Sequence, residues 1–298
     1  MGIERRGAVG WLAACLVVLA LAIALRDSLG ALGHQLTSVS PLGLGLLVVP
    51  GALMMLVTGL SFSYLVLPAL RVQSQRGAIV SIYLVAQMVK YLPGRIWGFV
   101  YQLRRLSDWV HPGQGLIASL NHQVVTLHMS VLFLGVAMAV PGAWLIWTGG
   151  VLLGLAWIHR GGVAAYLAWV RQLPPSTFVR LPVQAVLGFG MSLLFEWLFY
   201  FAVWAGLFML LDLPAGMDVV IAAAAFYAGA WIFGSVLGVL PGGLGAREGG
   251  FILLGAGLPV SQADLMALAL LARLVFTLAE TLAGTLAAVH MRKVTTGI

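Results

Sequence analysis

The sequence predicts an all-α polytopic membrane protein, and three observations carry that prediction. Of its 298 residues, 61% are hydrophobic and only 8% charged, with a mean hydropathy of +1.04, far from the balance of a water-soluble domain. The apolar stretches are long and continuous, not alternating ten-residue segments, which favours helices over a β-barrel. The charges, finally, sort by side of the membrane.

Taken in order, apolar segments that read as spans cover 8–25, 43–67, 116–140, 143–158, 183–211 and 265–289. The first follows Arg5 and Arg6 and ends near Ala22-Ile23-Ala24, in the outline of a signal peptide. Its 18 apolar residues exceed a usual signal core and suffice to span, so it reads as a retained first helix. Cys15 lies within it and, as the one cysteine, excludes an internal disulfide and suggests no thiol-metal site.

Two further apolar stretches, 78–106 and 219–258, are interrupted by Leu92-Pro93-Gly94-Arg95 and by a longer cluster, Leu240 to Glu248, that contains Pro241, Gly242, Gly243 and Arg247. Proline removes a helical donor and glycine admits non-helical backbone, so both helices should stop there. Several of the halves, at about 12 to 20 residues, are too short to cross a hydrocarbon core. Both stretches therefore read as re-entrant hairpins within a single domain, 1–298, of about six full spans.

With the N-terminus cytoplasmic, eleven basic residues fall on that side (Arg5, Arg6, Arg71, Arg76, Arg104, Arg105, Arg160, Arg171, Arg180, Arg292, Lys293) and only Arg26 on the other. This is a positive-inside pattern, and it predicts a plasma (inner) membrane protein with both termini cytoplasmic. The net charge of +7 thus belongs to a membrane surface, and no nucleic-acid partner is expected. The first hairpin would enter from the cytoplasm and the second from outside, an inverted arrangement. The shared Leu-Pro-Gly triplet is weak support for a repeat by itself.

Seven charges remain at membrane depth: Lys90, Arg95, Arg247, Arg273, Glu196, Glu248 and Glu280. Each would cost roughly 2.5–3.5 kcal/mol facing lipid at a helix centre, so they must face one another, a wet cavity or a ligand. Helices restarting after a break present unpaired N–H groups and a positive dipole end, and with an arginine alongside they suit a phosphate or carboxylate. Lys90, Pro93, Gly94, Arg95, Pro241, Gly242, Gly243, Arg247, Glu248 and Arg273 are the candidate substrate-binding residues on that argument. The plainer readings are that Lys90 and Arg95 snorkel to the surface and that Glu248 caps its helix.

On the last span, Arg273, Thr277, Glu280, Thr281 and Gly284 fall on one side of a helix. Arg273 and Glu280 stand about 10 Å apart along the axis, so each should pair with another helix. Glu196, between Ser192 and Tyr200, is the acidic counterpart on 183–211. Glu196, Glu280, His122 and His128 are candidates for ion pairing or proton coupling, against the commoner use of such groups in interhelical bonds. Trp97, beside the first break, is singled out from the interfacial tryptophans. No catalytic residue, metal site or cofactor is expected.

The string Leu240-Pro-Gly-Gly-Leu-Gly-Ala-Arg-Glu-Gly-Gly-Phe251, with Gly257-Leu-Pro259 and Ala267-Leu-Ala-Leu-Leu-Ala-Arg273 after it, resembles the C-terminal signature of one family. That family is the flippase-like family of the lysylphosphatidylglycerol synthase transmembrane region. Tyr91-Leu-Pro-Gly-Arg95 with Gly98 resembles its N-terminal Pro-Gly motif, so the likeness covers about residues 80–290. It implies re-entrant helices and translocation of a lipid head group between leaflets, with aminoacylated phosphatidylglycerol, hopanoids or polyprenyl-linked glycans as the family's associated lipids; together with the basic residues above, the lipid partner expected is anionic or of polyprenyl-phosphate type. No aminoacyl-transferase domain follows Ile298, so lysine transfer from tRNA is not expected of this chain alone.

The leading expectation is a flippase or scramblase for an anionic lipid or lipid-linked head group. No Gly-x-x-x-x-Gly-Lys-Ser/Thr string occurs, so movement would be downhill or coupled to an ion gradient. The alternatives are an intramembrane lipid-modifying enzyme, for which no Asp-rich or metal-spaced motif is present, and a non-transporting subunit of a lipid or glycan assembly complex. A homo-oligomer or separate biosynthetic enzymes are the protein partners considered.

Overall fold

The computed structural model describes residues 37, 39–69, 75–91, 96–137, 143–160, 162, 181–236 and 245–296. All regular structure among them is helical: α1 (Pro41–Val66), α2 (Arg76–Val89), α3 (Trp97–Leu106), α4 (Pro112–Ala137), α5 (Ala143–His159), α6 (Val183–Leu210), α7 (Met217–Val236), α8 (Ala246–Gly255) and α9 (Gln262–Thr296). The segment 8–25 lies outside the described residues. Among the described residues four helices are long and apolar enough to cross a membrane, α1, α4, α6 and α9. The expected span at 143–158 is present as α5, whose 17 residues are fewer than the roughly 20 that a perpendicular crossing needs.

Local chemistry sets the helix starts. Ser40 caps α1 by accepting from Gly43 N, with Pro41 at the first helical position, where its missing N–H costs nothing. Ser261 and Asp264 form a reciprocal capping box at α9, each side chain accepting from the other's backbone N–H. The helices are apolar outside and small inside. On α9, Leu270, Leu274, Leu278, Leu282 and Leu286 are exposed, while Ala272, Val275, Ala279, Ala283 and Ala287 are buried. Lipid solvates leucine as well as a core does, so close backbone approach by small residues holds the bundle. A Cβ at Gly51 of α1 would stand 2.9 Å from that of Ala279.

Both expected breaks occur. The first interrupted stretch becomes α2 and α3, the second α7 and α8. In each case the chain doubles back. Tyr227 and Phe251 are 24 residues apart, about 36 Å along a continuous helix, yet their ring centroids lie 5.5 Å apart. Gly98 of α3 lies against Ala86 of α2, where a Cβ would come within 2.5 Å of the Ala86 carbonyl oxygen.

The order of elements repeats. A long helix, a broken pair and a second long helix run through α1 to α4, and again through α6 to α9. The packing crosses over between these sets, since α2 packs on α9 while α7 packs on α4. The two leading helices, α1 and α6, form the most extensive contact and are antiparallel: Gly43 faces Leu210, Gly206 faces Leu47, and Gly188 faces Tyr64.

Candidate functional site

Helix α9 gathers the membrane-depth charges. Glu280, 8% exposed, accepts from Lys90 Nζ at 2.7 Å and from the Tyr91 hydroxyl at 2.6 Å, using one carboxylate oxygen for each. Tyr91 also shares a hydrogen bond with Thr277 Oγ1 at 3.2 Å. Lys90 caps the C-terminus of α2, where its charge complements the helix dipole. Antiparallel packing makes the pairing inevitable: Gly77 faces His290, Gly284 faces Leu84 and Met88, and Lys90 therefore arrives at Glu280.

Two turns earlier on the same face, Arg273 donates to Glu248 Oε1 at 2.7 Å. Glu248 turns its other oxygen to the backbone N–H of Gly245, at 2.8 Å, and so caps α8. Gly245 has φ of +80°, a conformation that glycine adopts without the Cβ clash that penalises other residues. Arg247, one position before Glu248, lays its guanidinium 4.0 Å over the Tyr227 ring. Tyr227 feels the charges of Arg247, Glu248, Arg273 and Glu280 together.

The residues bordering both breaks thus meet along one face of α9. Lys90 and Tyr91 close the first half-helix, Gly245 to Glu248 open the second, and Tyr91 and Arg273 lie within electrostatic reach of each other. Pro93, Gly94, Arg95, Pro241, Gly242 and Gly243 lie outside the described residues, so the expected approach of Arg95 to Arg247 falls there too. The plainer reading of Glu248 as a helix cap is correct, and the cap is also one half of an ion pair.

Charge balance within this cluster is unequal. Lys90 and Arg273 each have a carboxylate partner. Arg247 makes no ion pair among the described residues, and its buried Nε has no hydrogen-bond partner. The buried hydroxyl of Tyr227, whose ring lies under that guanidinium, also lacks a partner among the described residues; the Trp204 and Tyr227 rings lie 5.2 Å apart. Buried donors without acceptors are rare in folded proteins and call for an explanation.

The other predicted residues stand elsewhere. Glu196 meets no arginine among the described residues: it sits beside Thr58 of α1, and its buried Oε2 has no partner among them. Its turn of α6 faces α1 instead of the cluster. His122 bonds Ser61 at 3.0 Å and His128 bonds the Gly150 carbonyl at 3.1 Å, interhelical bonds in both cases. Thr281 leaves the polar stripe; it is exposed and donates to Thr277 O. Trp97 opens α3 and is half-exposed. Sequence reasoning missed Tyr227. The signal was there, since it is the one hydroxyl-bearing residue in the alanine-rich run from Ala222 to Ala230.

A cavity of about 210 Å³ lies beside Lys90, between α2, α3 and α4. Gln87, Gln102, His122 and Gln123 contribute its polar lining, and Tyr83 and Phe99 its aromatic part. No family model, curated protein or solved structure matches this chain.

Proposed function

We propose that this protein moves an anionic lipid or lipid-linked head group between membrane leaflets. The observation that carries this reading is Arg247, a cation in an apolar bundle with no carboxylate partner among the described residues. A guanidinium in that setting is stabilised by an anion that comes and goes, and its fork geometry suits a phosphate. Tyr227 would add a donor to the same anion, while Arg273, held by Glu248, keeps a second cation within reach. The resemblance of the Pro-Gly segments to the flippase-like family points the same way.

In this reading the two broken segments are re-entrant hairpins from opposite faces, and α1–α4 and α6–α9 are an inverted repeat. The antiparallel pair α1/α6 and the crossed packing of α2 on α9 and α7 on α4 support it. The protein would sit in the plasma (inner) membrane with both termini cytoplasmic. The ion pairs at Glu280 and Glu248 then act as internal counter-charges, keeping Lys90 and Arg273 neutralised while no head group is bound.

The test is reconstitution into vesicles with tail-labelled phosphatidic acid, following loss of fluorescence to a membrane-impermeant reductant. Wild type should accelerate exchange, and Arg247→Ala should slow it by about tenfold or more, the loss of one charged contact in a dry site. Equal rates for the two proteins would remove Arg247 from the pathway.

A further inference from the structure

The cavity beside Lys90 is lined by a set of side chains that anion binding alone does not require. Gln102 is buried, with 5% of its surface exposed, and donates from its amide nitrogen to Ser119 Oγ at 2.7 Å. Ser119 in turn donates to Gly115 O, which fixes the direction of that chain. Gln102 also lines the cavity, and its amide carbonyl takes no part in that bond. Gln87 is the converse case: its carbonyl accepts from Lys90 at 3.1 Å, leaving its NH₂ group. Gln123 adds a third amide from an exposed position on α4. Each amide carries both a donor and an acceptor.

At about 210 Å³ the space is large enough for one small ring. Its aromatic wall, Tyr83 and Phe99, offers flat apolar surface. We infer that this cavity receives the uncharged hydroxyl-bearing part of the head group, a polyol or a single sugar ring. The inference rests on the lipid-translocation reading above and names the class of head group it serves. Hydroxyls both donate and accept, which matches mixed amide valences; a trimethylammonium group does neither and would offer the buried Gln102 amide no partner. Sites built from hydrogen-bonding groups reject ligands that lack the matching partners far more strongly than apolar sites reject an extra methylene. Lys90 stands at the cavity edge, placed to meet the phosphate that joins the ring to its lipid.

Binding and movement are tested separately so that the two readings fail apart. Water-soluble dihexanoyl phosphatidylinositol, phosphatidylcholine and phosphatidic acid are titrated into purified protein in detergent, with binding read by calorimetry. The inositol lipid should bind at least about tenfold more tightly than the choline lipid. Gln102→Leu and, at the exposed position, Gln123→Leu should each shrink that ratio while leaving phosphatidic acid binding unchanged. Thermal unfolding of both variants checks that the fold survives, and Gln123→Leu carries the test if Gln102→Leu does not fold. Equal binding of inositol and choline lipids by wild type, or an unchanged ratio in a folded variant, overturns the inference. Preferential inositol-lipid binding without vesicle exchange would keep the cavity assignment and overturn translocation.

Discussion

At the scale of single residues, the protein spends its few charges in two different ways. Lys90 with Glu280 and Arg273 with Glu248 are closed pairs, each carboxylate saturated by a second donor, Tyr91 in one case and the Gly245 backbone in the other. Arg247 is left open. Glu248 therefore has two duties that substitution can separate. Glu248→Ala removes both the cap and the counter-charge of a pair whose side chains are only 17% and 12% exposed; the expected loss of stability is about 3 kcal/mol, most of it from stranding Arg273. Glu248→Gln keeps an acceptor for the cap and should lose less. Thermal unfolding in detergent checks the order, and Arg273→Met combined with Glu248→Ala should regain part of the loss. If the two Glu248 variants unfold alike, the cap contributes nothing beyond the ion pair.

At the scale of elements, the decisive features are the two reversals. Proline and glycine in the sequence foretold that helices would stop near residues 93 and 241; α2 ends at Val89 and α3 starts at Trp97, and separate helices α7 and α8 flank the second cluster. What the composition could not foretell is how closely the returning helix lies on the outgoing one. Gly98 permits that at the first break, because a Cβ there would meet the Ala86 carbonyl at 2.5 Å, a backbone atom that cannot swing aside. Gly98→Ala should push α3 off α2, lower the unfolding temperature and weaken ligand binding at the cavity the two helices share. Gly135→Ala is the control: nothing lies within 4 Å of its Cβ position in α4, and replacing a helical glycine there should stabilise by up to about 1 kcal/mol. Matching unfolding temperatures for the two variants would show that the close approach at Gly98 does not matter.

At the scale of the whole molecule, the repeated order of elements and the antiparallel contact of α1 with α6 define how the halves fit. In a Cys15→Ser background, the pair Leu47→Cys with Gly206→Cys should form a disulfide on oxidation, whereas Leu47→Cys with Gly188→Cys should not, since Gly188 packs near Tyr64 at the far end. Fragments held together after cleavage at a protease site inserted between 163 and 179 report the bond. The reverse result would mean that the helices run parallel. The sequence by itself determined the helical membrane class, the interruption of 78–106 and 219–258, and which charges must be sheltered. Those follow from one-dimensional facts: apolar run length, the missing donor of proline, and the cost of charge in lipid. Partner choice was legible only in part. Arg273 and Glu280 lie two turns apart on one helix, so each had to pair elsewhere, but nothing in the order of residues says that Glu248 and Lys90 answer them, that Glu196 turns toward Thr58, or that Arg247 settles on Tyr227. Those pairings depend on helix rotation and on antiparallel register, which small-residue packing sets between segments distant in the chain. The tertiary structure decided them, and with them which cation was left open.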